Sequence, residues 1–114
     1  MCGINGILGC QAIVNRDEVI LRMNQAMIHR GPDAGDTYHD EHISLGHRRL
    51  SIIGLDESGN QPMKSTDGKV VLVFNGEIYN YKELKSLTPD YPFFSHTDTE
   101  VIIALINPLG LRKC

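Results

Sequence analysis

The sequence predicts an α+β domain, and three observations carry that expectation. Val70 to Phe74 is a short apolar run, rich in β-branched residues and bounded by polar ones, which suits a strand. Val19, Met23 and Met27 recur at a spacing of four, which lays them along one helical face. Thr97-Asp98-Thr99-Glu100 places a threonine three positions ahead of an acid, in front of an apolar segment, as a capping box does. Strands and helices alternate irregularly and form no βαβ array, hence α+β.

Ile4 to Leu8, punctuated by Gly6 and Gly9, reads as a buried first strand with Cys2 at its start. Asn15-Arg16-Asp17-Glu18 offers a cap residue followed by an acid, so a helix is expected from there to about Ile28. Gly31-Pro32 stops it. Ile43 to Ile53 is strand-like in two parts, interrupted by the polar His47-Arg48-Arg49. Asp56 to Pro62 is a loop by composition. Val70 to Phe74, a buried strand, runs straight into Asn75-Gly76-Glu77. Asn80-Tyr81-Lys82-Glu83 repeats the cap-plus-acid pattern and opens a short helix. The last helix runs through Val101 to Ile106, where Asn107-Pro108 disturbs or ends it. There is no internal repeat, low-complexity stretch or linker, so one domain is expected.

The chain's 114 residues suffice for one domain with a core. Its 41% hydrophobic and 22% charged residues are ordinary for a soluble globular protein. A formal charge of −3, without a basic run or stripe, argues against a nucleic-acid partner. The apolar run Val101 to Ile106 is far too short to span a membrane, and the N-terminus lacks a signal peptide's basic flank. A cytoplasmic location is therefore expected. Cysteines at 2, 10 and 114 are odd in number and widely spaced, unlike a disulfide framework or a metal pair.

Cys2 stands one cleavage from the terminus. Removal of Met1 would join a thiol and a free α-amine in one residue, a nucleophile with its own base. The bland alternative is a small apolar residue. A thiol attacking a carboxamide needs donors for the developing oxyanion, typically a side-chain amide and a backbone N–H. Asn75-Gly76 offers both, although Asn-Gly is also a strong turn dipeptide. Arg49 lies in an otherwise apolar strand, where a guanidinium is costly unless paired. Its fork suits an α-carboxylate, unless it simply faces solvent. Glu77 and Asp98 are candidate partners for an α-ammonium group. Glu77 could equally be solvated, and Asp98 could only bias the first turn of its helix. His39-Asp40-Glu41-His42 lacks a third ligand at a recognisable spacing, so no metal is expected. His29-Arg30-Gly31-Pro32-Asp33 reads as a structural loop near the site.

Six segments, taken in order, resemble one family. They are Met1-Cys2-Gly3-Ile4-Asn5-Gly6, His29-Arg30-Gly31-Pro32-Asp33, Gly46-His47-Arg48-Arg49-Leu50-Ser51-Ile52-Ile53, Gln61-Pro62-Met63, Phe74-Asn75-Gly76-Glu77-Ile78-Tyr79-Asn80 and Thr97-Asp98-Thr99-Glu100-Val101. The chain resembles the N-terminal glutaminase domain of the glutamine-hydrolysing asparagine synthetases, which are class II glutamine amidotransferases. The resemblance implies an N-terminal-nucleophile hydrolase fold, a four-layer α/β/β/α sandwich of antiparallel sheets. It implies Cys2 as nucleophile and Asn75 with Gly76 as oxyanion hole. It implies Arg49 on the substrate α-carboxylate, a glutamine pocket lined by Leu50, Ser51, Ile52 and Ile53, and Glu77 with Asp98 on the α-ammonium group. Thiolate attack would release ammonia and leave a glutamyl thioester for hydrolysis, with no metal or organic cofactor. In the family, ammonia passes to a synthetase domain that activates aspartate with ATP and magnesium.

There are two departures. Gly54 stands where the family usually has aspartate, and a local loop effect is expected. The family's glutaminase domain also runs past Leu111-Arg112-Lys113-Cys114, so residues 1–114 are expected to hold a C-terminally truncated part of it, without the synthetase domain. Two other readings keep the family. One is an inactive fragment that binds glutamine or associates with a partner. The other is a glutaminase serving a different acceptor, such as a sugar phosphate. The Leu-Ser-Ile-Ile and Asn-Gly-Glu-Ile-Tyr-Asn wording sets asparagine synthetase ahead of the latter.

Overall fold

The computed structural model describes residues 2–9, 15–51 and 56–109, the last three as helix backbone. Met1, Cys10, Ile52, Ile53, Gly54 and Cys114, and the segment after Leu109, lie outside the described residues. Within them the chain is an α+β fold with two antiparallel sheets. Three strands form the first sheet: β1 (Gly3–Leu8), β2 (Ala34–His39) and β3 (Ile43–Arg49). The order is β1-β3-β2, so β3 is central. A short hairpin forms the second sheet from β4 (Met63–Lys64) and β5 (Val71–Leu72).

β3 runs unbroken through His47-Arg48-Arg49, contrary to the expected interruption. Strand alternation explains this. Even-numbered residues face helix α1 (Arg16–Ala26), while Ile43, Leu45, His47 and Arg49 share the opposite face. Polar side chains on that second face are buried with partners, which lets the strand continue. β2 was not expected at all. Ala-Gly-Asp-Thr-Tyr-His has little apolar signal, and its strand character comes from antiparallel pairing with β3.

α1 also differs from its sequence pattern. The residues it buries are Ile20 and Asn24, not the Val19, Met23 and Met27 stripe. Asn24 joins neighbouring strands by hydrogen bonds: it accepts from Asn5 at 2.7 Å and donates to the Asp36 carbonyl at 3.0 Å. Gly46 makes room for this pair. A Cβ there would stand 2.4 Å from Asn5 Oδ1 and 2.6 Å from Asn24 Oδ1. Asn15 lies at the helix start in the left-handed region, but its side chain makes no cap bond. β1 proves less buried than expected, with Leu8 80% and Ile4 46% exposed. It is an edge strand, and its outer face is only partly covered.

Val70 to Phe74 yields only two paired residues, and all five are half-buried. α2 (Tyr81–Ser86) buries no side chain. α3 (Thr99–Leu109) contributes Val101, Ile103 and Ala104 to the apolar core, beside Ile20 and Met63. Burying one such isoleucine stabilises by about 1.5–3 kcal/mol. Asn107-Pro108 does not end α3, which continues to Leu109. Proline cannot donate to the Ala104 carbonyl, and this loss falls in the last turn. The capping box is also not formed as drawn. Glu100 is fully buried, and its carboxylate accepts from the Phe94 and Ser95 N–H groups, both at 2.8 Å. Among the described residues no helix is long and apolar enough to cross a membrane.

Candidate active site

Antiparallel register delivers the N-terminus to the end of β3. Gly3 pairs with Arg48, so one step outward sets Cys2 beside Arg49 and Leu50. The half-buried Cys2 Sγ lies 3.3 Å from the Leu50 N–H that donates to it, and 3.6 Å from the Leu50 carbonyl. The loop of residues 29–33 braces this corner. Arg48 donates to the Gly31 carbonyl at 2.9 Å, Asp33 N–H to the Arg49 carbonyl at 3.0 Å, and Ser51 N–H to Asp33 Oδ2 at 2.7 Å.

Arg49 closes β3 with only 5% of its surface exposed. Its Nη1 donates to the Asp56 carbonyl at 2.6 Å and to Asn60 Oδ1 at 2.9 Å. A short 3₁₀ turn, Glu57–Gly59, brings these acceptors round. Asp56 caps the turn, and hydrogen bonds from Ser58 hold its carboxyl below the usual range.

Beyond β5 the chain passes through Phe74 into Asn75-Gly76-Glu77. Phe74 is held on both sides: its N–H donates to Gln61 Oε1 at 2.6 Å, and its carbonyl lies 3.2 Å from His47 Nε2. At the far end of the span, Ile78 N–H donates to Asp98 Oδ2 at 2.7 Å. Asp98 is 7% exposed and thus does more than bias a helix turn. Among the described residues, the Asn75 side-chain amide has no hydrogen-bond partner.

These segments enclose a cavity of about 340 Å³, a size that suits a small ligand. Cys2, Arg49, Leu50, Asn75, Gly76, Glu77 and Asp98 all line it. Ser51 is not on the wall, and Ile52 and Ile53 lie outside the described residues. Residues without an assigned role in the sequence also line it: Gly59, Gln61, Phe74, Tyr79, Thr97 and Thr99. Gln61 and the two threonines are buried and polar. In sequence they read as loop and cap residues, and no local pattern distinguishes a cavity wall from a cap. Across the wall a thiol, a side-chain amide, a cation and two carboxylates converge, a set that complements a zwitterion. Among the described residues, no three His, Cys, Asp or Glu side chains are grouped to hold a metal.

His47 is fully buried, and burial pushes its pKa below the ordinary 6.5; the nearby Arg49 and Arg48 charges add to this. The unfolded chain therefore takes up a proton near 6.5 that the folded chain resists. Stability from this group is complete above 6.5 and falls as pH drops through that value. Urea unfolding on either side of pH 6.5 should show the loss, and His47→Gln should reduce it. Equal pH slopes in both proteins would remove His47 as the cause.

A family model described as a glutamine amidotransferase domain matches residues 1–114. The chain is similar to asparagine synthetase (glutamine-hydrolyzing) 1 of Bacillus subtilis strain 168, with 43% identity over 109 residues, 91% of this chain and 17% of the relative. It is similar to a putative asparagine synthetase 2 of Methanocaldococcus jannaschii, with 41% identity over 128 residues, 96% of this chain and 24% of the relative. With asparagine synthetase of Triphysaria versicolor, identity is 37% over 111 residues, 96% of this chain and 19% of the relative. The chain thus spans less than a quarter of the length of these relatives, between 17% and 24%.

Proposed function

Because the chain belongs to the glutamine amidotransferase domain family, we propose that it hydrolyses glutamine to glutamate and ammonia with Cys2 as nucleophile. One observation carries this reading: Cys2 shares its cavity with Arg49, Asn75, Gly76, Glu77 and Asp98. Once Met1 is removed, the Cys2 α-amine takes the thiol proton. The thiolate attacks the side-chain amide carbon, and negative charge develops on its oxygen. The Asn75 amide and the Gly76 N–H receive that charge. Collapse expels the amide nitrogen, which leaves as ammonia with the proton returned by the α-amine. Water then cleaves the glutamyl thioester and regenerates the thiol. Arg49 takes the α-carboxylate, and Glu77 with Asp98 the α-ammonium group. Base, nucleophile and oxyanion donors all come from protein groups, so the step as written needs no metal or organic cofactor.

The same reading extends to the surroundings. On this reading the first sheet, with α1 packed on one face, is part of a four-layer α/β/β/α sandwich. Residues 1–114 correspond to the glutaminase part of an enzyme whose synthetase part receives ammonia and, with ATP and magnesium, converts aspartate to asparagine. The similarity to asparagine synthetases favours aspartate over a sugar phosphate as the acceptor's substrate.

The test is ammonia and glutamate release from L-glutamine by chain shown by mass to begin at Cys2. Equal yields of both products are expected, and little from a glutamine analogue lacking the α-amine. No ammonia from correctly trimmed chain would end the proposal. A steric prediction tests the carboxylate end. A Cβ on Gly59 would stand 2.5 Å from Arg49 Nη2 and 2.4 Å from Thr97 Cγ2. Gly59→Ala must therefore displace the guanidinium and should raise KM for glutamine about 10-fold or more, with kcat less affected. An unchanged KM would detach Arg49 from substrate binding.

A further inference from the structure

We propose that Gln61 and His47 are positioning residues for the oxyanion hole, clamping the Phe74 backbone so that Asn75 and Gly76 stand where charge develops. The inference rests on the glutaminase reading above. Phe74 is the last residue before the hole, and its backbone N–H and C=O both bond to buried side chains. Gln61 Oε1 accepts the N–H at 2.6 Å, while Gln61 Nε2 donates to Thr99 Oγ1 at 3.3 Å. Both polar groups of this side chain are thus engaged, and one residue ties the strand exit to the start of α3.

His47 approaches from β3 on the other side. A carbonyl only accepts, so the ring nitrogen 3.2 Å from the Phe74 oxygen carries the hydrogen. In the neutral imidazole this is the Nε2–H tautomer. Its Nδ1 is buried and, among the described residues, has no partner. A buried histidine with an unmatched nitrogen is costly, which singles out the bond that the other nitrogen makes. With Ile78 held by Asp98 at 2.7 Å, residues 75–77 form a short span between two fixed ends. A span anchored in this way keeps its donors aimed without reorganising when charge appears.

The test compares wild-type chain, trimmed to Cys2, with four variants. Gln61→Met and His47→Leu remove the clamp's acceptor and donor. Gln61→Asn and His47→Gln keep a suitable uncharged polar group in each place. Each protein is measured for kcat and KM with glutamine and for amide hydrogen exchange at Phe74. The rate of Cys2 alkylation by iodoacetamide is also measured, because that displacement creates no oxyanion. Gln61→Met and His47→Leu should lower kcat about 10- to 100-fold with KM little changed. Alkylation should be unchanged, and exchange faster at the Phe74 amide. The polar variants should recover most of kcat.

Unchanged kcat and exchange in Gln61→Met and His47→Leu would overturn the clamp while leaving the glutaminase reading intact. A parallel fall in kcat and alkylation would reduce both residues to structural roles and also overturn it. Wild-type chain that releases no ammonia, yet loses exchange protection in these two variants, would end the glutaminase reading and retain the clamp.

Discussion

Cys2→Ala should abolish glutamine hydrolysis, a fall of at least about 10⁴-fold in kcat, as expected when a nucleophile is removed from a working site. Glutamine should still bind, because the groups proposed to hold its two ends belong to Arg49, Glu77 and Asp98. Geometry makes the prediction selective. Sγ reaches the Leu50 peptide at 3.3 Å, so the thiol contributes a wall contact as well as its chemistry. Cys2→Ser keeps a polar atom there but supplies a far weaker nucleophile, and should be nearly as inactive. The measurements are ammonia release and equilibrium glutamine binding for all three proteins. Turnover in Cys2→Ala close to that of wild type would overturn the nucleophile assignment. Loss of glutamine binding together with turnover would instead assign Cys2 to the pocket wall.

The second large effect is expected at Asn75. Its amide lines the cavity and, among the described residues, has no hydrogen-bond partner, so no internal bond need break when an oxygen arrives. Asn75→Ala should lower kcat by about 10²–10³-fold, the usual cost of one oxyanion donor. KM should move little, since the full charge exists only in the transition state. Asn75→Asp should be at least as damaging, because a carboxylate would face the developing negative charge. Steady-state kinetics of both variants decide the point. A rise in KM with kcat preserved would make Asn75 a ground-state binding group.

Much of this site was legible from the chain, though for uneven reasons. Cys2, Arg49, Asn75, Gly76, Glu77 and Asp98 each fit a chemical need, and the cavity brings all of them together. Their local readings were ambiguous because Asn-Gly is also a turn and an acid near a helix start is also a cap. What separates the two cases is burial, which depends on distant segments. Asp98 illustrates this: a buried carboxylate that accepts from Ile78 cannot be recognised from residues 97–100 alone. β2 is not legible in its own residues because its strand character comes from pairing with β3 and not from its composition. The methionine stripe of α1 misled for a related reason. The helix docks through Asn24, and only the structure shows Gly46 clearing the space for it. Gln61 reads as a loop residue because a buried glutamine with both ends engaged leaves no mark in its neighbours.

The pairing of Gly3 with Arg48 makes β1 a measuring rod. The reach of the thiol is counted in residues from a fixed notch, and the count allows no error. Deleting one residue between Gly3 and Leu8 would draw the terminus back by about 3.3 Å and turn Cys2 to the opposite side of the sheet. Residues added ahead of Cys2 would leave its place unchanged and only cover the amine. For the proposed reaction, the terminus would therefore tolerate extension in space but not in chemistry, and the strand neither.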